Sequence, residues 1–187
     1  MSEGGEKNNS GLSAEEIIGA LSALSDELGR AGTKGEICLF GGAVMVLAFK
    51  ARISTKDVDA LFQPAQLIRE AAARVGRERG LVLDWLNDGV KGFIASSPPL
   101  TAHGLPQFAN LHVTMPTAEY LLAMKCMAGR TAVEGADDVP DIIFLSRQLG
   151  LKSSRDVLDI VARYYGRSGV PVKTQYLVEG LFDEGKV

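Results

Sequence analysis

A short apolar run, Glu36 to Phe40, stops at Gly41-Gly42 and passes directly into the helix-favouring segment Ala43 to Lys50. The run has the length of one buried strand and is too short for a core helix. The glycine pair permits a tight turn and a close approach of backbone to a neighbour. A polar loop, Ala51 to Lys56, leads to Asp57–Phe62, whose alternation reads as a second strand. Any fold of this chain must place two strands around one short helix and a glycine turn.

The flanking segments add helices. Ser13 with Glu16 forms a capping box, and Ile17, Ile18, Leu21, Leu24 and Leu28 follow at helical spacing until Gly32. Pro64 opens a helix at its first position, with Leu67, Ile68, Ala71, Ala72 and Val75 on the apolar face. Leu81 to Ile94 is ambiguous, and Asp84 is a potential cap for a short helix from Trp85. A Ser-, Pro- and Gly-rich loop spans Ser96 to Gln107, and Leu111–Val113 reads as a third strand, short or at an edge because of polar His112. Thr117 caps a helix running to about Gly129, and the polar loop Arg130–Ala136 follows it. Val139–Leu149, Ser154–Tyr165 and Lys173–Asp183 close the chain as helices. The expected class is α+β, a small mixed sheet flanked by helices with a C-terminal helical bundle. Its expected parts are a disordered N-terminus (1–11), a core (12–116) and a C-terminal helical region (117–187).

Composition limits what such a chain does. Of 187 residues, 46% are apolar, enough for a real core, and the net charge of −3 argues against a general nucleic-acid coat while permitting a local basic groove. Cys38 and Cys126 sit in apolar runs without metal-ligand spacing, so both read as small core residues suited to a reducing cytoplasm. The polar start after Met1 is not a signal peptide, and the longest apolar stretch, Ile37 to Phe49, is too short to span a bilayer. His103 reads as a solvated loop residue, Trp85 as core or lid packing, and Tyr164, Tyr165, Tyr176 and Leu177 as bundle core.

Asp57 and Asp59 carry the chemistry. Two apart on a strand, their side chains share one face. Two placements satisfy them: open solvent, or the core, where a cation or basic groups must offset their repulsion and desolvation. Mg²⁺ takes one or two carboxylates plus phosphate and water oxygens, which suits a triphosphate site. Gly41-Gly42 lets backbone approach a phosphate, with the N–H groups of a helix start beside it. Arg52, Ser54 and Lys56 supply cations and a hydroxyl immediately before the aspartates; the alternative is a solvated basic loop.

Strand, Gly41-Gly42, short helix, then Arg52-x-Ser54-x-Lys56-Asp57-x-Asp59 resembles the opening of the nucleotidyltransferase superfamily. Downstream, Lys125-x-x-x-x-Arg130 followed by Asp138-x-x-Asp141 is similar to segments of abortive-infection (AbiEii-type) toxins and their relatives. Trp85-Leu86-Asn87-Asp88-Gly89-Val90-Lys91-Gly92-Phe93 resembles a segment of an uncharacterised bacterial subgroup of these proteins. The resemblance spans Ile37 to about Leu149. It implies that Gly41 and Gly42 contact triphosphate oxygens and that Asp57 and Asp59 hold Mg²⁺ or Mn²⁺. It also implies that Lys125 reaches a phosphate oxygen or the base, and that Arg130 pairs with phosphate or with Asp138 or Asp141. Those two acids, three apart, are neighbours on one helical face and could orient the basic pair.

Two features depart from the pattern. Serine is common after the first glycine in related motifs, a hydroxyl that Gly42 gives up. Many polymerase-like members carry a third carboxylate on a later strand, where Leu111-His112-Val113 offers histidine; Asp84 and Asp88 are possible substitutes. The expected activity is transfer of a nucleotidyl group from a nucleoside triphosphate to an acceptor hydroxyl on RNA, protein or a small molecule. By resemblance, the setting is a bacterial toxin–antitoxin or phage-defence pair with a cognate antitoxin. The principal alternative is a non-catalytic module binding nucleotide or protein on a degenerate fold. A metal-dependent hydrolase ranks last, because the sequence offers no second metal cluster.

Overall fold

The computed structural model describes residues 11–94, 98–132 and 137–187. It is an α+β fold, with a mixed sheet in the first two thirds and helices at the end. Residues 1–10 of the expected disordered tail lie outside the described residues, as do 96–97 and 133–136 of two expected loops.

Helix α1 (Ala14–Arg30) begins at the expected capping box: Ser13 Oγ accepts from the Glu16 N–H while Glu16 accepts from the Ser13 N–H. A box of this kind stabilises a helix start by about 1 kcal/mol. The described strands are β1 (Leu12–Ser13), β2 (Gly35–Leu39), β3 (Ser54–Thr55), β4 (Val58–Gln63), β5 (Leu86–Asn87), β6 (Leu100–Thr101) and β7 (Leu111–Pro116). Five of them form one sheet in the order β5-β4-β2-β7-β6. Within it, β2 runs antiparallel to β4 and parallel to β7, and β4 runs parallel to β5.

Period two divides the sheet into two unlike faces. Ile37, Leu39, Val58, Ala60, Leu111 and Val113 are buried on one. Helices α1 and α3 (Ala65–Arg79) cover that face, and a β-carbon on Gly35 would meet the side chains of Leu28 and Ile68. Each large apolar side chain buried there contributes about 1.5–3 kcal/mol. Asp59, Leu61, Cys38, Thr114 and the exposed Glu36 and His112 occupy the other face. One end of this face is closed by Phe40, Tyr120 and Met124, the last two on α4 (Ala118–Ala128). The helices α5 (Val139–Gln148), α6 (Ser154–Tyr165) and α7 (Val172–Asp183) then pack around α4.

Several expectations are corrected. Helix α2 spans Gly41–Leu47, so it starts at the glycines and stops before Lys50, whose positive φ of 52° breaks the helix. The expected polar loop 51–56 contains β3, which pairs with β1 and so binds the loop to the start of α1. Pro64 is the N-cap of α3, one position before the first helical turn. Thr117 occupies the N-cap of α4, but its side chain makes no capping bond. Leu81–Ile94 holds no Asp84-capped helix. It forms β5 and a 3₁₀ turn, Gly89–Phe93, because β4 offers an open edge: the Val58 N–H donates to Trp85 O at 2.7 Å. The fully buried Trp85 donates its indole N–H to Ala72 O at 2.9 Å, pinning the segment to α3. Strand β7 is six residues long, longer than Leu111–Val113, and β6 pairs with its far end. Tyr176 is 72% exposed and is no part of the core, whereas Tyr164 packs edge-on against Tyr120 at 4.9 Å. Cys126 is buried as expected, whereas Cys38 is only half-buried; burial pushes the Cys38 thiol up to about 11 and the Cys126 thiol up to about 12.

Candidate functional site

The β2–α2 turn, β3 and the start of β4 line a cleft of about 660 Å³ with the end of α4 and the start of α5. Gly41, Gly42, Arg52, Ser54, Lys56, Asp57, Asp59, Lys125, Arg130 and Asp138 all border it. Residues spread across more than ninety positions therefore meet in one place. Asp141, the remaining member of the expected phosphate-binding set, does not line the cleft; it stands behind Arg52 and Lys125.

Strand β4 runs Val58–Gln63, one residue later than the expected Asp57–Phe62, so Asp59 projects opposite to the fully buried Val58 and Ala60 while Asp57 lies at the bend just before the strand. Asp59 is held between two neighbours. On one side the Phe40 N–H donates to its carbonyl at 2.8 Å; on the other, β5 places Asn87 in register with it. A β-carbon on Gly41 would lie 2.9 Å from Asp59 Oδ2, and Gly41 also has φ of +57°. The left-handed backbone favours glycine, and the tip of the Asp59 side chain would have to shift for a β-carbon. A β-carbon on Gly42 would collide with Thr55 Oγ1, so the second glycine serves the approach of β3. Helix α2 has only seven residues and a correspondingly weak dipole; the turn's value lies in close approach of backbone.

The electrostatics divide the cleft in two. Burial, then the charge of Asp57, push the Asp59 carboxyl above its ordinary value; Arg130, Asn87 and Lys125 offset part of that rise. Opposite stands a network of three cations and two acids. Lys125, 6% exposed, lies 2.7 Å from both Asp138 Oδ1 and Asp141 Oδ2. Arg130 engages Asp138 through Nε at 2.8 Å and a second guanidinium nitrogen at 3.1 Å. Arg52 holds Asp141 the same way, at 2.6 and 2.7 Å. Burial alone would raise Asp138, but Arg130 and Lys125 outweigh it and hold the carboxyl below its ordinary value. The three cations and two acids of the network leave one net positive charge, and the Asp137 carboxylate, which also lines the cleft, stands against it. Asp138, 0% exposed, and Asp141, 2% exposed, hold the cations in place and leave the outer faces of Arg52 and Arg130 to the cleft.

A smaller recess of about 180 Å³ opens from the same point. It shares Gly41, Asp59, Lys125 and Arg130 with the cleft and is otherwise walled by Gly89, Val90, Leu121, Met124 and Ala128.

Neither suggested substitute for a third carboxylate stands here. Asp84 is exposed, and Asp88 turns to Arg69 and Lys91 at the surface. The strand pairing brings Asn87 to the aspartates instead; its Nδ2 donates to Asp57 Oδ2 at 3.0 Å. Asn87 and Thr55 were not visible as site residues in the sequence, because both depend on strands recognised only through their pairing partners. His103 and His112 are exposed and away from the cleft. Among the described residues no three His, Cys, Asp or Glu side chains converge as a metal cage.

The donor set nevertheless fits a hard cation. Two carboxylates sit close enough for one to raise the other, on a cleft also lined by the Gly41-Gly42 turn. Mg²⁺ requires no all-protein cage and completes its octahedron with phosphate and water oxygens. No protein-family model, curated protein or solved structure matches the chain. No helix among the described residues is long and apolar enough to cross a membrane.

Proposed function

We propose that this chain is a nucleotidyltransferase dependent on Mg²⁺ or Mn²⁺, acting on a nucleoside triphosphate. The observation that carries the reading is the convergence of Asp57, Asp59 and the Gly41-Gly42 backbone on one cleft with an opposing cationic wall. Asp57 and Asp59 would hold the cation. A bound divalent ion would offset phosphate charge and favour departure of pyrophosphate. Gly41 and Gly42 line the cleft, so the triphosphate would lie along the backbone of their turn, while the missing β-carbons serve the close packing of Asp59 and Thr55. Arg130, Arg52 and the exposed Lys56 neutralise its oxygens, and Lys125 fixes the geometry of that wall. The adjoining apolar recess suits the nucleoside end of the ligand. In the reaction the acceptor oxygen bonds to the α-phosphorus, the bond to pyrophosphate breaks, and the acceptor proton passes to solvent.

The acceptor in this reading is a hydroxyl of RNA, protein or a small molecule. The resemblance to abortive-infection toxins supports a toxin role with a cognate antitoxin, tested by growth arrest on expression and its relief by a neighbouring gene product. The enzymatic reading is tested by incubating α-labelled nucleoside triphosphates with cell RNA, cell protein and Mg²⁺. Label transfer with pyrophosphate release, lost in Asp57→Asn, is the expected result. Nucleotide binding without transfer favours the second reading, a non-catalytic module. That reading draws on a specific feature: an amide, Asn87, stands beside the aspartates in the absence of Asp84 and Asp88.

A further inference from the structure

The segment Trp85–Phe93 bears on the site through one side chain. Asn87 lies on β5 in parallel register with Asp59. Its Nδ2 donates to Asp57 Oδ2 at 3.0 Å, and its Oδ1 accepts from the Gly89 N–H at 3.0 Å. The second bond decides the orientation of the amide. A backbone N–H only donates, so the oxygen must face Gly89 and the NH₂ must face the aspartate. Gly89 and its neighbour Val90 form part of the recess wall. One amide thus bonds the carboxylate pair on one side and the turn bounding the recess on the other.

We infer that Asn87 is the positioning residue of the cation site: it occupies Oδ2 of Asp57, so that Asp57 presents its Oδ1 oxygen to the ion, and it locks that carboxylate to the Gly89–Val90 turn. This inference rests on the proposed cation site. A fixed neutral donor stabilises two adjacent carboxylates without adding charge, and it removes the rotational freedom that binding would otherwise have to freeze. A carboxylate in the same position would act differently. It would repel Asp57 in the metal-free protein and serve as a third oxygen ligand in the loaded one.

The two substitutions at this position therefore move cation affinity in opposite directions, which a merely structural residue would not do. The experiment titrates the full chain with Mn²⁺ alone, following free ion by electron paramagnetic resonance, in the wild type, Asn87→Ala, Asn87→Asp and Asp57→Asn. Thermal melts in EDTA check that each variant is folded. We expect Asn87→Ala to bind Mn²⁺ roughly tenfold more weakly and Asn87→Asp to bind it more tightly than wild type. Should Asn87→Ala not fold, the Asn87→Asp comparison stands by itself, and unchanged or weaker binding there overturns the inference. Unchanged affinity in both Asn87 variants, with binding lost in Asp57→Asn, overturns the role of Asn87 and leaves the cation site intact. No Mn²⁺ binding by the wild type overturns both.

Discussion

Oδ2 of Asp59 lies so close to the backbone of Gly41 that a β-carbon there would stand 2.9 Å from it. A side chain at Gly41 would press on that oxygen and shift the carboxylate. Gly41→Ala is expected to destabilise the fold by about 1–3 kcal/mol, from the left-handed backbone and the crowding together. It should also weaken nucleotide binding more than that loss explains. Urea unfolding and calorimetric titration with a nucleoside triphosphate measure the two effects separately.

Gly42 tests the approach of β3. Its missing β-carbon leaves the space occupied by Thr55 Oγ1. Gly42→Ala should cost about 1–3 kcal/mol of stability by overpacking. Thr55→Ala in the same chain should recover part of the loss, because the hydroxyl is removed while the Thr55 β-carbon remains. A double-mutant cycle by urea denaturation gives the coupling, and strict additivity would contradict the contact.

Lys125 sits in an apolar helix yet touches two buried acids. Lys125→Met keeps the volume and removes the charge. Asp138 and Asp141 retain Arg130 and Arg52, so the expected cost is about 3 kcal/mol, near the low end for breaking a buried pair. The same change at the half-exposed Arg130 should cost far less stability while still weakening triphosphate binding. Equal stability losses in the two variants would contradict this division of labour.

Acid should unfold the protein partly through Asp138. Its carboxyl is held below the ordinary value of 3.8, so its contribution is complete above that pH and is lost as pH falls through the lower folded value. The urea midpoint of the wild type should therefore drop steeply below about pH 4. Asp138→Asn should be less stable at neutral pH and show a shallower drop.

Asp59 has the opposite sign. Burial and the charge of Asp57 raise its carboxyl, so folding disfavours the ionised form and stability falls as pH rises through the raised value. In EDTA at neutral pH, Asp59→Asn should melt at a higher temperature than wild type. On addition of Mg²⁺ the wild type should gain stability and the variant should not. A lower melting temperature for Asp59→Asn in EDTA would show that the pair carries no repulsive cost.

The sequence by itself determined the elements whose signals are local. The Ser13–Glu16 box, the apolar stripe of α1, the arrest of β2 at Gly41-Gly42 and the alternation around Val58 and Ala60 all follow from covalent geometry and solvent, within a few residues. That locality also made Asp57, Asp59 and the glycine turn stand out. The tertiary structure alone decided what depends on a partner distant in the chain. Strands β3 and β5 are two residues long, too short for any periodic pattern, and they exist because β1 and β4 offer unpaired backbone. Asn87 reaches the site only through that pairing. The packing of α4 and α5 likewise selected the partners of Lys125 and Arg130, since a buried charge takes whichever opposite charge the packed helices bring within about 3 Å.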